Sequence, residues 1–513
     1  MKEDRLFIDL DNLNIHIEAI GNLTKDQCEK YFVFPYYIED NELYLAVVDY
    51  LDKEALKEIK FITKKNIKCY FSSKAQVLDY INNYYKNDFT DKVLLQMKSD
   101  KISNLSDSSA FKEEENILSG PTVSLVDSII FTAVNKGASD IHIEPFKEFI
   151  IVRLRIDGML QRFNKLPRDV YDTICTRIKI MCKMNIAWKL VPQDGKFSQQ
   201  IDGAELDFRV SSLPTINGEK IVIRILHKKN EILTFKDLGF NKEISEVFKT
   251  LLKSRQGLIL ITGPTGSGKT TTLYSMLREV NKVDRNIVTI EDPVEYELEQ
   301  INQVNVNNQS GITFAKALRT VLRQDPDIIM VGEIIDEETA EIAVRASLTG
   351  HLVLTTLHTN DASASINRLV DMKVPAYLVS DSLVAIIAQR LARKVCDFCK
   401  ESYKPNSFER RVLGVSEGHL LYRGRGCVKC HNTGYRGRTV VYEIIIVDNK
   451  HRTLISSCKS TEELRRFCIN CGMKPLSESF KILVLSGETT IDEYISNLQG
   501  LKTNDIDEVI HAI

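Results

Sequence analysis

LILIT-GPTGSGKT-TTLYSMLREV, residues 258–280, decides the fold of this chain. Its centre, Gly263-Pro264-Thr265-Gly266-Ser267-Gly268-Lys269-Thr270, fits the phosphate-loop pattern G-x-x-x-x-G-K-[ST] at every position. A short apolar run precedes it and a helix-forming stretch follows. That is the context in which glycines turn backbone N–H groups onto phosphate oxygens and the helix N-terminus adds a field favouring negative charge. Lys269 is expected to reach the β- and γ-phosphates, and the Thr270 hydroxyl to hold Mg²⁺. With Thr271 next on the helix, these residues form the expected nucleotide-binding set, for ATP or another nucleotide, since the motif alone does not choose the base.

Outward from this loop, four short runs, GLILITG, NIVTIED, DIIMVGE and HLVLTTL, alternate with helical stretches from about residue 240 to 513. Runs so short and so apolar fit strands buried on both faces of a mainly parallel sheet, and hence an α/β domain. Residues 119–232 read differently. VSLVDSIIFTAVNKGA has helical periodicity, and FIIVRLRIDGMLQRF alternates around the hairpin signal Asp157-Gly158. AELDFRVSSLPT and EKIVIRIL also alternate, so this second domain is α+β with an antiparallel sheet. Residues 1–88 read as a small α+β unit. Residues 89–118 are polar and serine-rich and read as a linker, with a short helix expected at Val93–Met97.

Lys plus Arg number 68 and Asp plus Glu 70, a balance that argues against a general nucleic-acid coat. A nucleic-acid-dependent motor stays open as an alternative reading, because phosphate-loop proteins with zinc lobes include such motors. No uninterrupted apolar run reads as a membrane span, and MKEDRLFIDLDN has no signal-peptide core, so a cytoplasmic location is expected.

Hydrolysis needs a carboxylate near the γ-phosphate. Glu333 ends the run DIIMVGE, at the strand edge where ligands sit in open α/β sheets, and is placed to orient the attacking water. Glu291, Asp292 and Glu295 form a second acidic cluster that either orders water and Mg²⁺ or simply opens a helix. His351 and His358 flank LVLTTL. His358, at the C-terminal end, is the better phosphate sensor, and His351 is as readily structural. Arg319 and Arg323 are read as sharing one helix face, and Arg209 and Arg224 fall on second-domain strands. Arginines brought in by a neighbouring domain or subunit neutralise charge on a transferring phosphoryl. Eleven cysteines include Cys396, Cys399, Cys427 and Cys430, spaced C-x₂-C-x₂₇-C-x₂-C, a pattern that suits structural Zn²⁺ in a lobe at about 391–440. A third pair, Cys468 and Cys471, is read as part of an amphipathic helix. Cys28, Cys69, Cys175, Cys182 and Cys458 are read as isolated small residues.

Four further blocks carry a resemblance: TIEDPVEY at 289–296, LRQDPDIIMVGE at 322–333, TGHLVLTTLHTNDA at 349–362, and the tetracysteine lobe. ASDIHIEP, PQDGKF and RVSSLPT add to them in the second domain. Together they resemble the hexameric ATPases of type II secretion and type IV pilus assembly, from about residue 119 to the end and more loosely over the N-terminal domain. The resemblance implies a RecA-like ATPase domain after a PAS-like domain, with nucleotide between them. It implies an aspartate box at Glu291, Asp292 and Glu295, a Walker B glutamate at Glu333 and a histidine box at His351 and His358. It also implies a ring of six, second-domain arginines approaching nucleotide, and an N-terminal domain docked on an inner-membrane platform with associated cytoplasmic components. The family usually has arginine where this chain has Ile335. No cyclic-dinucleotide repeat of the RLG…L…Q type is apparent in residues 1–88, and the lobe together with the extra N-terminal domain favours assembly or secretion over retraction.

Overall fold

The computed structural model describes residues 7–10, 13, 15–20, 22–39, 41–84, 121–227, 233–457 and 459–498. The expected linker at 89–118, the helix at Val93–Met97, and Cys458 lie outside the described residues. The chain divides into two compact units, Met1–Leu226 and His227–Ile513.

The first unit holds two sheets. The smaller has the order β1 (Val33–Glu39), β2 (Glu42–Val47), β3 (Asn66–Phe71). β1 and β2 are antiparallel, while β2 and β3 are parallel and are joined by a crossover helix. That helix, α1 (Lys53–Thr63), starts where the Asp52 carboxylate accepts from the Ala55 amide at 2.6 Å. The larger sheet runs β6-β5-β4-β9-β8-β7, with β4–β5, β4–β9, β5–β6 and β7–β8 all antiparallel. Its strands are β4 (Ala138–Pro145), β5 (Phe149–Ile156), β6 (Met159–Pro167), β7 (Gln193–Ile201), β8 (Ala204–Thr215) and β9 (Gly218–His227). Period-two alternation turns Ile150, Val152 and Leu154 of β5 inward, onto a core shared with α2 (Pro121–Asn135) and α3 (Tyr171–Met181). The β5–β6 turn is the expected Asp157-Gly158, with φ of 48° and 88°, the double positive φ of a tight hairpin.

The second unit is built on a seven-stranded sheet of order β12-β11-β13-β14-β10-β15-β18. β10 (Gly257–Thr262), β11 (Ile287–Glu291), β13 (Ile328–Val331) and β14 (Leu352–Leu357) are the four apolar runs of the sequence, and every residue in them is buried. They and β12 (Asn302–Asn305) pair in parallel, as does β15 (Leu383–Val395) with β10. Only β18 (Tyr435–Ile446) runs antiparallel, to β15. Helices cover both faces. α4 (Lys269–Val280) packs on one; α5 (Phe314–Val321), α6 (Glu337–Leu348) and α7 (Ala362–Asp371) pack on the other. The chain returns through α8 (Thr461–Asn470), α9 (Leu476–Leu485) and α10 (Ile491–Leu498). Between β15 and β18 lie the cysteine lobe and a two-stranded hairpin, β16 (Lys400–Tyr403) with β17 (Leu421–Gly424). Among the described residues, no helix is long and apolar enough to cross a membrane.

Candidate functional site

The phosphate loop turns from β10 into α4 at the C-terminal edge of the parallel strands. Only a residue without a Cβ fits at Gly263: a Cβ there would lie 2.5 Å from the Gln389 carbonyl oxygen and 2.6 Å from Ser267 Oγ. Gly268, at φ 86°, is the left-handed residue that opens α4. Lys269 follows it, buried, and its ammonium donates to the carbonyls of Gly263 at 2.8 Å and Pro264 at 3.2 Å. Burial pushes this amine down to about 8, with Glu333 pulling it back up and Arg390 adding to the fall. Pro264, Thr265, Gly266 and Thr270 are exposed. Among the described residues Ser267 Oγ is buried with no hydrogen-bond partner, a donor that a phosphate oxygen would satisfy.

Three adjacent strands, β13, β14 and β10, bring the reactive groups together. His358 follows the end of β14, and its Nδ1 lies 3.5 Å from Lys269 Nζ. Its Nε2 lies 2.9 Å from a carboxylate oxygen of Glu333, which follows β13. Lys269, His358 and Glu333 thus form one polar chain across the sheet edge. Its supports are buried hydroxyls. The Thr356 hydroxyl donates to the Gly332 carbonyl at 2.7 Å, and the Thr356 carbonyl accepts from the Ile334 amide at 3.1 Å, which fixes the turn carrying Glu333. The Thr262 hydroxyl meets that of Thr359 at 2.7 Å and accepts the Thr359 amide at 2.9 Å, which fixes the loop after His358.

Glu291 lies on the same edge and is almost fully buried. It accepts hydrogen bonds from Tyr274 Oη at 2.5 Å, Thr289 Oγ1 at 2.6 Å and Gln303 Nε2 at 3.2 Å. Burial and this carboxylate push the Tyr274 phenol well above its ordinary value. The Glu295 amide donates to the same phenol at 3.4 Å, and Asp292 is exposed. His351 stands apart. It precedes β14, at the opposite edge of the sheet, about 20 Å of strand away from His358. There its Nδ1 meets the Ala346 carbonyl at 3.0 Å.

Arg209 and Arg224 lie on strands as the sequence suggested, but Arg323 does not share a helix with Arg319. α5 ends at Val321, so Arg323 lies in the turn beyond it and donates back to the Arg319 carbonyl at 2.9 Å. Pro326 lies a few residues beyond, and Asp325 before it is also outside helical conformation, at φ 51°. Arg319 pairs with Glu338 at the head of α6, and among the described residues no hydrogen bond or ion pair joins Arg319 or Arg323 to the phosphate loop. Within the first unit, Arg209 sits on β8 and Arg224 on β9, where Arg224 Nε donates to Asp140 at 3.0 Å. Several supports were not singled out in the sequence: Thr262, Tyr274, Thr356, Thr359, Gln389 and Arg390. The available signal was polar residues inside runs too buried to carry them idly.

The four cysteines of the lobe converge, with all Sγ atoms within 4.8 Å of one another. Sγ distances are 3.8 Å for Cys396–Cys427, 3.8 Å for Cys399–Cys430 and 3.7 Å for Cys427–Cys430. Four thiolates about 2.3 Å from a central zinc in a tetrahedron would be about 3.8 Å apart, so the donor set fits that ion. The Gly434 amide donates to Cys430 Sγ at 3.3 Å, a bond that steadies a ligating sulfur.

The type II/IV secretion system protein model matches residues 115–496. The chain belongs to that family. An MshEN domain matches residues 4–91, giving the N-terminal part a family of its own that its undistinguished runs had not suggested. Among relatives of the secretion family, the type IV pilus assembly ATPase PilB of Thermus thermophilus is 41% identical over 490 residues. That alignment covers 92% of this chain and 54% of the relative, so this chain spans about half of that protein's length. The type II secretion system protein E of Pseudomonas aeruginosa is 45% identical, over 73% of this chain and 75% of its own. The X-ray structure of the Legionella pneumophila ATPase DotB superposes with a TM-score of 0.55 at 22% identity, covering 73% of this chain and 95% of that one, a likeness of fold.

Proposed function

We propose that this secretion-family chain is an ATP-hydrolysing motor that powers type IV pilus assembly or type II protein secretion. The observation that carries the reading is the polar chain Lys269–His358–Glu333 at the phosphate loop. Lys269 exchanges its two loop carbonyls for β- and γ-phosphate oxygens. Ser267 donates to a phosphate, and the Thr270 hydroxyl would hold Mg²⁺, which would supply charge neutralisation. Glu333 accepts a proton from, and so orients, the attacking water. His358 sits between that carboxylate and Lys269, where it senses the terminal phosphate. Glu291 and Glu295 border the same edge, with Glu291 holding the Tyr274 support.

The finer architecture belongs to the same reading: a RecA-like second unit, a PAS-like domain at 119–232 and a partner-docking domain at 1–88. So do a homo-hexamer, in which Arg209, Arg224, Arg319 and Arg323 approach nucleotide of a neighbouring domain or subunit, and a station at the cytoplasmic face of the membrane on a platform protein. Cys396, Cys399, Cys427 and Cys430 would hold structural Zn²⁺.

Glu333→Gln tests the chemistry. We expect steady-state ATP turnover to fall at least about 100-fold, while ATP affinity stays within about threefold, because the amide keeps the shape but cannot take the proton. Turnover above a tenth of wild type would remove Glu333 from the reaction. Strong stimulation of the wild type by added DNA would instead move the reading to a nucleic-acid motor.

A further inference from the structure

β15 runs beyond its neighbour. Its parallel register with β10 ends at Thr262 opposite Ala388, and the next two residues, Gln389 and Arg390, continue alongside the phosphate loop itself. Both are polar in a strand of thirteen residues that is otherwise almost wholly apolar until Arg393. Both are buried, Gln389 completely. Strand alternation sends them to opposite faces of the sheet.

Gln389 faces α4. Its Nε2 donates to the Ser267 carbonyl in the phosphate loop at 2.8 Å, and its Oε1 accepts from the Thr272 hydroxyl, one turn into the helix, at 3.0 Å. One side chain therefore spans the loop and the helix whose N-terminus faces the phosphate. Arg390 faces α7. Its guanidinium donates to the Asn360 carbonyl at 2.9 Å and to the Gln389 carbonyl at 3.1 Å. Asn360 lies two residues past His358. Asp361, next along, caps α7 by accepting the Ala364 amide. The Gln389 carbonyl that receives Arg390 is also the atom that a Cβ at Gly263 would strike.

We infer that Gln389 and Arg390 are paired positioning residues, one setting the phosphate loop for nucleotide binding and the other setting the His358 loop for hydrolysis. This rests on the proposed ATPase reading and deepens it. The two faces separate the roles. Loss of the Gln389 bonds loosens backbone that touches the ligand before and after reaction alike, so it weakens binding. Loss of the Arg390 bridge displaces His358 and, through it, Glu333, so it slows chemistry.

The test compares Gln389→Met and Arg390→Lys in the full chain, reading equilibrium ADP affinity and, separately, kcat for ATP. Methionine keeps the volume of glutamine and neither hydrogen bond; lysine keeps the charge without the fork that reaches two carbonyls. Gln389→Met should weaken ADP binding about tenfold. Arg390→Lys should leave ADP affinity within about twofold and lower kcat at least about tenfold. Thr272→Val removes one Gln389 bond from the helix side without touching Gln389, and should weaken ADP a few-fold. It decides the question if Gln389→Met does not fold. Equal effects of the two substitutions on both quantities, or ADP affinity unmoved in Gln389→Met and Thr272→Val, would overturn the inference. Failure of the wild-type chain to bind ADP would overturn the ATPase reading instead, so the two failures are distinct.

Discussion

Lys269 holds a charge in a place that resists it. Burial lowers its amine from 10.5 to about 8. Between those values the folded chain binds fewer protons than the unfolded one, so this residue makes stability rise with pH across that window. Nucleotide reverses the sign. Phosphate oxygens need the ammonium, so above about pH 8 the free site must take up a proton before it binds, and affinity should fall by up to about tenfold per pH unit. Calorimetric titration with ADP at pH 9, in two buffers of different ionisation enthalpy, should show uptake approaching one proton per site, and close to none at pH 7. Absence of uptake at pH 9 would mean that Lys269 stays charged throughout. This residue was legible in the sequence because its motif is local. His358 and Glu333 were legible as strand-end residues, but not their contact, which needs β13 and β14 to be neighbours.

At the scale of elements, the parallel strands β10, β11, β13 and β14 could be read directly because burial on both faces leaves a continuous apolar run. β15 and β18 could not. Gln389, Arg390 and Glu443 interrupt their runs, and each is polar for a reason outside its own strand. Glu443 is the clearest case. Buried on β18, it accepts the Ala362 amide at 2.7 Å and the Leu476 amide at 3.0 Å, tying the heads of α7 and α9 together. Burial raises its carboxyl, against the pull of those two amides and of Arg465. The four-cysteine cluster between β15 and β18 was legible because two C-x-x-C pairs fix four donors without knowledge of the chain between them. Cys396 follows β15 directly, and Gly434, which donates to Cys430, precedes β18 directly. Metal held by these cysteines would therefore clamp the far ends of the two strands, and one of them carries Gln389 and Arg390. Cys427→Ser should lower bound zinc from about one per chain to below about half, and should open the lobe to limited proteolysis. Nucleotide affinity should change less than about threefold, since the strands stay paired from Ala385 to Arg393. A chain that carries no zinc when purified without chelator would remove the metal from the lobe.

The whole molecule is where Ile335 has to be judged. It is 56% exposed on the turn from Glu333 to Asp336, at the position where the resemblance drawn from the sequence implies an arginine. The turn does not depend on it. Gly332 and Ile334 are held by Thr356, and Asp336 caps α6 by accepting the Thr339 amide at 2.7 Å. Ile335 is exposed within one chain, so in the proposed hexamer an arginine there would act on a second chain. Ile335→Arg should therefore leave thermal stability and ADP affinity nearly unchanged, within about 0.5 kcal/mol, as exposed substitutions do. Its effect should appear only as chains associate. Turnover per chain, measured from dilute to concentrated protein, should match wild type at the dilute end and depart from it as oligomer forms, with sedimentation recorded at the same concentrations. A constant ratio at every concentration would place the effect inside the subunit, on the Glu333 turn itself. Two curves that coincide throughout would mean that the position takes no part in turnover, and that the arginine common in the family serves a contact this chain does without.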